Sequence, residues 1–170
     1  MALLKAIKGI SPIIDDSSYV AENAVITGDV QIGKNASIWF HTVIRGDCNK
    51  IIIGDNVNIQ DLTMVHGTTG RGDTLIGNNV SIGHRAIIHG CQIRDNVLIG
   101  MGAIILDDTI IESDVIVAAG AVVTANQVLK SGWLYAGIPA KPIKEISPEM
   151  AQVYIQGTAK GYIEYAKLYK

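Results

Sequence analysis

Four histidines are the side chains of this sequence best suited to hold a metal ion, namely His41, His66, His84 and His89. His66 and His89 each stand directly after an apolar β-branched residue, Val65 and Ile88. Imidazole nitrogens bind zinc at about 2.0–2.1 Å, so two histidines held side by side could share one ion. The chemistry suggested is therefore that of a metal centre, provided that the fold stacks His66 against His89.

The elements that must do this are six-residue units, each headed by Ile or Val. A period of six fits neither a helix nor a plain strand and is typical of a parallel β-helix of hexapeptide repeats. We count eighteen heads, which make about six three-unit coils. The heads are Ile14, Val20, Ile26, Ile32, Ile38, Ile44, Ile53, Ile59, Val65, Ile76, Ile82, Ile88, Ile93, Ile99, Ile105, Ile111, Val117 and Val123.

The repeat pattern also divides the chain, which we expect to form a single domain over residues 1–170. We predict an all-β body over residues 14–128, preceded by a lead-in at 1–13 and followed by a cap strap at 129–146. A C-terminal α-helix is predicted over 147–170, because Ser147 suits the N-cap and Pro148 the first turn.

The unit count predicts which side chains meet. If the three faces are labelled a, b and c from Ile14, then Ile44, Val65 and Ile88 head the c units of successive coils. The residues directly after these heads are Arg45, His66 and His89. These three side chains therefore form one column, and neighbouring coils lie roughly 4.8 Å apart. We predict that His66 and His89 are ligands of one metal ion.

His84 lies on the b face, directly above Asp61 and five residues before His89. Five extended residues reach roughly 16 Å, so His84 cannot join its own chain's pair on one ion. If His84 is a third ligand, it comes from another subunit, which implies a closed homotrimer with a metal site at each interface. Arg45 and Asp61 could then pair across that interface. The alternative is that His84 is an ordinary surface residue, as we expect His41 to be.

The six-residue frame slips in three places, and we expect the irregular residues at corners. The intervals are nine residues from Ile44 to Ile53, eleven from Val65 to Ile76, and five from Ile88 to Ile93. Counting units places Cys48 at a buried inward position and Cys91 nearer a corner. The two thiols should not meet, which suits a reducing cytoplasm.

Composition excludes other classes of protein. The net charge is −2 and no run of Lys or Arg occurs, which argues against nucleic-acid binding. The apolar start is short and interrupted by Lys5 and Lys8, so we expect neither a secretory signal nor a membrane span there.

Three segments of the chain resemble the γ-class carbonic anhydrase family: VIRGDCNKIIIGDNVNIQDLTMVH, IGHRAIIHGCQI and VLIGMGAIILD. The resemblance implies a left-handed β-helix that assembles as a homotrimer. It implies zinc, with Fe²⁺ or Co²⁺ as alternatives, bound by His66 and His89 of one chain and His84 of the next. The implied reaction is hydration of carbon dioxide to bicarbonate through a metal-bound hydroxide.

The same resemblance assigns further roles. Gln60 would orient the metal-bound water, Asp47 would support the histidines, and Tyr162 would approach the site from the C-terminal helix. Arg45 and Asp61 would hold the interface.

The sequence departs from active members of that family at two points. They carry Glu after the aspartate of RGD, where this chain has Cys48, and an acidic loop where this chain has Gly67–Asp73. Hydration is therefore expected to be slow and limited by proton export. The alternatives are a CoA-dependent hexapeptide acyltransferase or CoA-thioester enzyme, and a non-catalytic metal-binding trimeric scaffold.

Overall fold

The computed structural model describes residues 1–170, and its body is a left-handed parallel β-helix with three flat faces. We number the strands β1–β20 in chain order. Two of them, β4 (Val25–Ile32) and β6 (Val43–Ile53), run around the corner from face c to face a. The fold class predicted from the repeats is confirmed.

The other strands divide among the three faces. Face c holds β1 (Leu3–Lys5), β8 (Met64–His66), β11 (Ile87–His89), β14 (Ile104–Ile105) and β17 (Val122–Val123). Face a holds β2 (Ile13–Ile14), β9 (Thr74–Ile76), β12 (Gln92–Ile93), β15 (Ile110–Ile111) and β18 (Val128–Leu129). Face b holds β3 (Tyr19–Val20), β5 (Ser37–Ile38), β7 (Asn58–Ile59), β10 (Ser81–Ile82), β13 (Val97–Ile99), β16 (Val115–Val117), β19 (Trp133–Ala136) and β20 (Lys141–Glu145).

The core is the stack of unit heads inside the prism. Burial of each Ile or Val side chain on folding stabilises the folded state by about 1.5–3 kcal/mol. Twelve isoleucines are the largest fully buried side chains, and eleven of them are predicted heads: Ile26, Ile38, Ile44, Ile53, Ile59, Ile82, Ile88, Ile93, Ile99, Ile105 and Ile111. The heads thus hold the coils in register, and that register positions the side chains that follow them.

Regular stacking extends beyond residues 14–128 at both ends. Strand β1, in the predicted lead-in, pairs in parallel with β4. In the predicted cap strap, β18 and β19 continue faces a and b, pairing with β15 and β16. The last strand, β20, returns antiparallel to β19 and ends the stack.

The C-terminal helix lies against face b. It consists of α1 (Pro148–Met150), a π-helical segment (Ala151–Gln156) and α2 (Gly157–Lys167). Ser147 caps its start, because the Ser147 Oγ accepts a hydrogen bond from the Met150 N–H at 3.2 Å. Tyr162 packs edge-on against Trp39 of the body, with ring centroids 5.5 Å apart. None of the helices is both long and apolar enough to cross a membrane.

All three frame slips fall at the corner between faces c and a. The first is a bulge in β6, where residues 47–50 face a single residue, Asp29, of β4. The second is the loop 67–73, and the third is a tight turn at Gly90, whose φ is +55°. In the first two slips the extra residues leave the stack at this corner, because the paired faces on either side have no room for them. In the third slip the corner is one residue shorter than in a regular unit.

The predicted positions of the two cysteines are wrong. Cys91 is fully buried in the core, two residues before its head Ile93, and Cys48 is partly exposed in the β6 bulge. Ile51 takes the inward position that Cys48 was expected to fill, pairing with Val30 of β4. The prediction for Cys48 was wrong because the extra residues of the β6 bulge change which residues of this segment point inward.

Candidate metal centre

His66 and His89 face each other across two neighbouring strands. They are direct register partners in β8 and β11, because the heads before them, Val65 and Ile88, are also paired. His66 Nδ1 lies 3.3 Å from His89 Nε2. The structure therefore brings together the two side chains that the column predicted.

A carboxylate lies behind each of these rings. The other ring nitrogen of His66, Nε2, lies 3.1 Å from Asp47 Oδ1, and His89 Nδ1 lies 3.1 Å from Asp107 Oδ1. Since a carboxylate can only accept a hydrogen bond, each ring donates its N–H backward. In the neutral form of both rings, the two nitrogens that face each other then carry lone pairs.

This arrangement fits a metal ion. Two ligands bound to zinc at 2.0–2.1 Å in a tetrahedron lie about 3.3 Å from each other, the separation seen here. Two facing lone pairs repel each other unless a cation lies between them. Burial, followed by the charge of Arg45, lowers the pKa of His66, which favours the neutral ring that a metal needs.

The position of Asp107 depends on Gly90 and on the 67–73 loop. A Cβ at Gly90 would come within 2.0 Å of Asp107 Oδ1, so only glycine leaves room for that carboxylate beside His89. The Thr68 hydroxyl donates to Asp107 Oδ2 at 3.2 Å. Asn49 holds the loop, since its amide donates to the carbonyl oxygen of Thr68 at 2.7 Å.

Arg45 completes this side of the site. Its Nη1 donates to Asp47 Oδ2 at 2.5 Å, and its Nη2 lies 3.5 Å from His66 Nδ1. Burial raises the pKa of Asp47, but the hydrogen bond and charge of Arg45, with the bond from His66, outweigh it and hold that pKa below its usual range. Asp47 therefore remains a carboxylate that can orient His66.

A second group lies on face b. His84 Nδ1 lies 2.8 Å from Asp61 Oδ2, and their side chains are 41% and 32% exposed. Within the chain, no hydrogen bond or ion pair joins this group to His66 or His89. The structure thus separates His84 from the other two histidines, as the five-residue spacing predicted.

The two predicted catalytic residues also lie on the side of face b. Gln60 is buried, and its amide donates to Asn58 Oδ1 at 3.0 Å, while the Asn58 amide donates to Ser81 Oγ at 2.7 Å. Tyr162 borders a cavity that Asp61 and Trp39 also line. Burial, followed by the charge of Asp61, raises the pKa of Tyr162 to about 12, so its phenol stays protonated at neutral pH.

Sequence reasoning missed Asp107, Asn58 and the outward position of Cys48. Asp107 lies one position beyond the column, because Ile88 pairs with Ile105 and extending the column by one coil would have given Leu106. Asp73, the acid expected in the short loop, accepts a hydrogen bond from the Lys50 backbone N–H at 3.2 Å.

The stacked coils and the repeated units define the class of this protein. The family described as "Bacterial transferase hexapeptide (six repeats)" matches residues 11–46, 73–103 and 90–125. The chain belongs to this hexapeptide-repeat family.

Three individual proteins are similar to this chain over most of its length. Gamma carbonic anhydrase 2, mitochondrial, of Arabidopsis thaliana is 44% identical over 94% of this chain and 59% of its own length. A carnitine operon protein of Proteus sp. is 36% identical over 86% of this chain and 74% of its own. The crystal structure of a hexapeptide transferase family protein from Anaplasma phagocytophilum is 44% identical, covers 99% of this chain and 98% of its own, and superposes with a TM-score of 0.94.

The similarity to the plant γ carbonic anhydrase thus runs along nearly the whole chain. The chain spans about three-fifths of the length of the plant relative that it matches.

Proposed function

We propose that this chain forms a homotrimer that hydrates carbon dioxide to bicarbonate at zinc centres shared between neighbouring subunits. One observation carries the proposal: His66 Nδ1 and His89 Nε2 face each other at 3.3 Å, and each ring has a carboxylate at its other nitrogen. The identity to γ carbonic anhydrases over most of the chain supports the choice of reaction.

In this proposal the chain's residues bind, orient and assemble. His66 and His89 bind the ion from one side, and His84 of the neighbouring subunit binds it from the other. A bound zinc ion would lower the pKa of a coordinated water toward about 7 and so supply a hydroxide nucleophile. Asp47 and Asp107 hold the two rings in the binding tautomer.

Other residues act around the ion. Gln60, fixed by Asn58, orients the attacking water, and Tyr162 offers a neutral phenol donor near Asp61. Arg45 of one subunit pairs with Asp61 of the next. In the free chain the Arg45 and Asp61 side chains are 44% and 32% exposed, so each can reach a partner across the interface.

Proton export limits the rate in this proposal. The one acid of the 67–73 loop, Asp73, holds the Lys50 backbone, and Cys48 stands where active relatives carry glutamate. Replacing Cys48 by Glu places a carboxylate at a partly exposed position beside Asp47, which should raise kcat in weak buffer. Both cysteines are unpaired, which suits a reducing compartment such as the cytoplasm.

The test combines metal analysis with stopped-flow hydration on an anaerobic preparation, since Fe²⁺ and Co²⁺ are alternative ions. We expect one metal per chain, and a kcat that rises with imidazole buffer while kcat/KM stays nearly constant. A kcat that is high and independent of buffer would contradict the proton-export step. A fully loaded protein without hydration activity would favour the metal-binding scaffold.

A second candidate, a CoA-dependent acyltransferase, is favoured by the transferase family to which the chain belongs. Such an enzyme needs one basic histidine and no metal. In this chain two histidines face each other instead, so we prefer the metal-dependent function over the acyltransferase. Thiol release from acetyl-CoA in the presence of amine acceptors, unaffected by a chelator, would reverse the preference.

A further inference from the structure

Cys48 lies next to two other metal-binding side chains. The bulge in β6 turns residue 48 out of the core, and Asp47, Cys48 and His66 each place one donor atom within 4.8 Å of the other two. All three residues are partly exposed, so an ion from solvent can reach them. The hydration reaction proposed above assigns no role to the Cys48 sulfur.

The donor set has a definite chemical preference. A thiolate with an imidazole suits thiophilic ions such as Zn²⁺ or Cd²⁺, whereas Mg²⁺ and Ca²⁺ prefer oxygen ligands alone. Asp47 is already oriented for this role, because Arg45 holds its Oδ2 at 2.5 Å and its Oδ1 faces His66. The three donors need to close by about 1 Å to reach ordinary bond lengths around one ion.

We propose that Asp47, Cys48 and His66 form a second metal site, for a thiophilic divalent cation, that excludes occupation of the His66–His89 site. On binding, the Cys48 thiol releases its proton to solvent. The ion is held by the sulfur, a carboxylate oxygen and one ring nitrogen of His66. This site is a property of one chain. It shares with the centre proposed for hydration the ligand His66 and also Asp47, which orients the His66 ring there.

The two sites exclude each other because they share two side chains. His66 Nδ1 lies 3.3 Å from His89 Nε2, and His66 Nε2 lies 3.1 Å from Asp47 Oδ1. An ion held by Cys48 and Asp47 takes the carboxylate that otherwise orients His66 toward His89. It also takes His66 itself, which is a ligand in both sites.

The test uses Cd²⁺ as the probe on the metal-free assembled protein. We expect ultraviolet cadmium–thiolate charge-transfer absorption that saturates at one Cd²⁺ per chain. Cys48→Ser should abolish this absorption, whereas His89→Ala should keep it because the three donors remain. On zinc-loaded protein, added Cd²⁺ should release zinc to a chromogenic chelator in step with the growth of the thiolate band.

Cys91 supplies the matched control. It is the other thiol of the chain but is enclosed in the core, where burial raises its pKa to about 12. Cys91→Ala should therefore leave the cadmium band intact, and circular dichroism should verify that every variant is folded.

A band that survives Cys48→Ser, or wild-type protein that binds Cd²⁺ without a thiolate band, would overturn the proposal. Cadmium bound by the histidines alone would leave the hydration proposal standing, so the two can fail separately.

Discussion

The two histidine groups of this chain differ in how complete they are. On the c side, His66 and His89 are 14% and 27% exposed, and each has a carboxylate on its outer nitrogen. On the b side, His84 is 41% exposed and its partner is Asp61 alone. The c-side group is a pair of rings that are both supported within one chain, whereas the b-side group is a single ring beside one carboxylate.

This difference shows what a single chain can and cannot position. The c-side rings are fixed by strand register and by bonds to Asp47 and Asp107 in the two flanking coils, so their geometry does not depend on a partner. The b-side ring has one bond, to Asp61, that an incoming Arg45 could replace. If neighbouring subunits share the metal, the fixed half should set affinity and the open half should report assembly.

The sharpest way to break the comparison is to remove one half from each of two chains. His66→Ala and His84→Ala proteins should each lose metal to the background level, because every interface lacks one ligand. Co-refolded mixtures should regain metal, since an intact His66–His89 pair can meet an intact His84 of another chain. Metal content by atomic emission checks this. Mixtures that bind no more than the single variants would show that ligands are not shared.

The next largest effect concerns assembly. Arg45→Ala should leave Asp61 without its cross-interface partner and weaken the trimer by about 3–5 kcal/mol. Sedimentation equilibrium on Arg45→Ala, Asp61→Ala and the double variant measures the coupling between the two. Arg94→Ala is the control, because Arg94 is exposed and bonds only to Gln92 within its own strand region. A wild-type protein that is monomeric at micromolar concentration would end the trimer proposal.

A smaller effect separates the two aspartates that follow Leu106. Asp107→Asn should lower metal affinity by about 10–100-fold, because an amide no longer fixes the His89 tautomer. Asp108→Asn should have little effect, since Asp108 forms a surface ion pair with Arg71. Competition with a fluorescent zinc chelator gives both affinities. Equal losses in the two variants would mean that charge near the site matters and orientation does not.

The smallest expected effect concerns the C-terminal helix, which lies against face b. Ser147→Ala removes the side-chain cap of the C-terminal helix and should cost about 1 kcal/mol of unfolding free energy. Ser131→Ala is the control, because only the Ser131 backbone is hydrogen-bonded. Hydrogen exchange should speed up around Tyr162 and stay unchanged at β8 and β11. Equal changes at both places would show that the two sides are coupled through the body.

The sequence was sufficient for the fold and for the histidine column, because both follow from one rule. Every head except Ile14 and Val20 is buried, so the residue after it points outward, and residues after paired heads meet, as His66 and His89 do. His84 was likewise separated from them by distance along the coil. The ligand roles and the trimer follow from no such rule and stay predictions.

Unit counting failed where the frame slips. Inside the β6 bulge the number of residues between a side chain and its unit head no longer decides whether that side chain points inward. The predicted inward position of Cys48 and corner position of Cys91 were therefore the reverse of those observed. The Asp107 carboxylate was missed for a related reason, since it reaches His89 only through the space left by Gly90. All three slips lie at the corner that carries the candidate site, so the pattern is least informative where the chemistry is expected.

The antiparallel strand β20 has a consequence for the behaviour of the protein in solution. A parallel β-helix offers the same open rung at each end, and such ends can add one molecule to the next without limit. On face b the final strand is β20, which runs antiparallel to β19 and carries Pro142 between Lys141 and Ile143, with every residue exposed. A further parallel coil would meet on that face a reversed strand, a missing N–H and positive charge. We therefore expect β20 to oppose the end-to-end addition of molecules that would otherwise build a fibre.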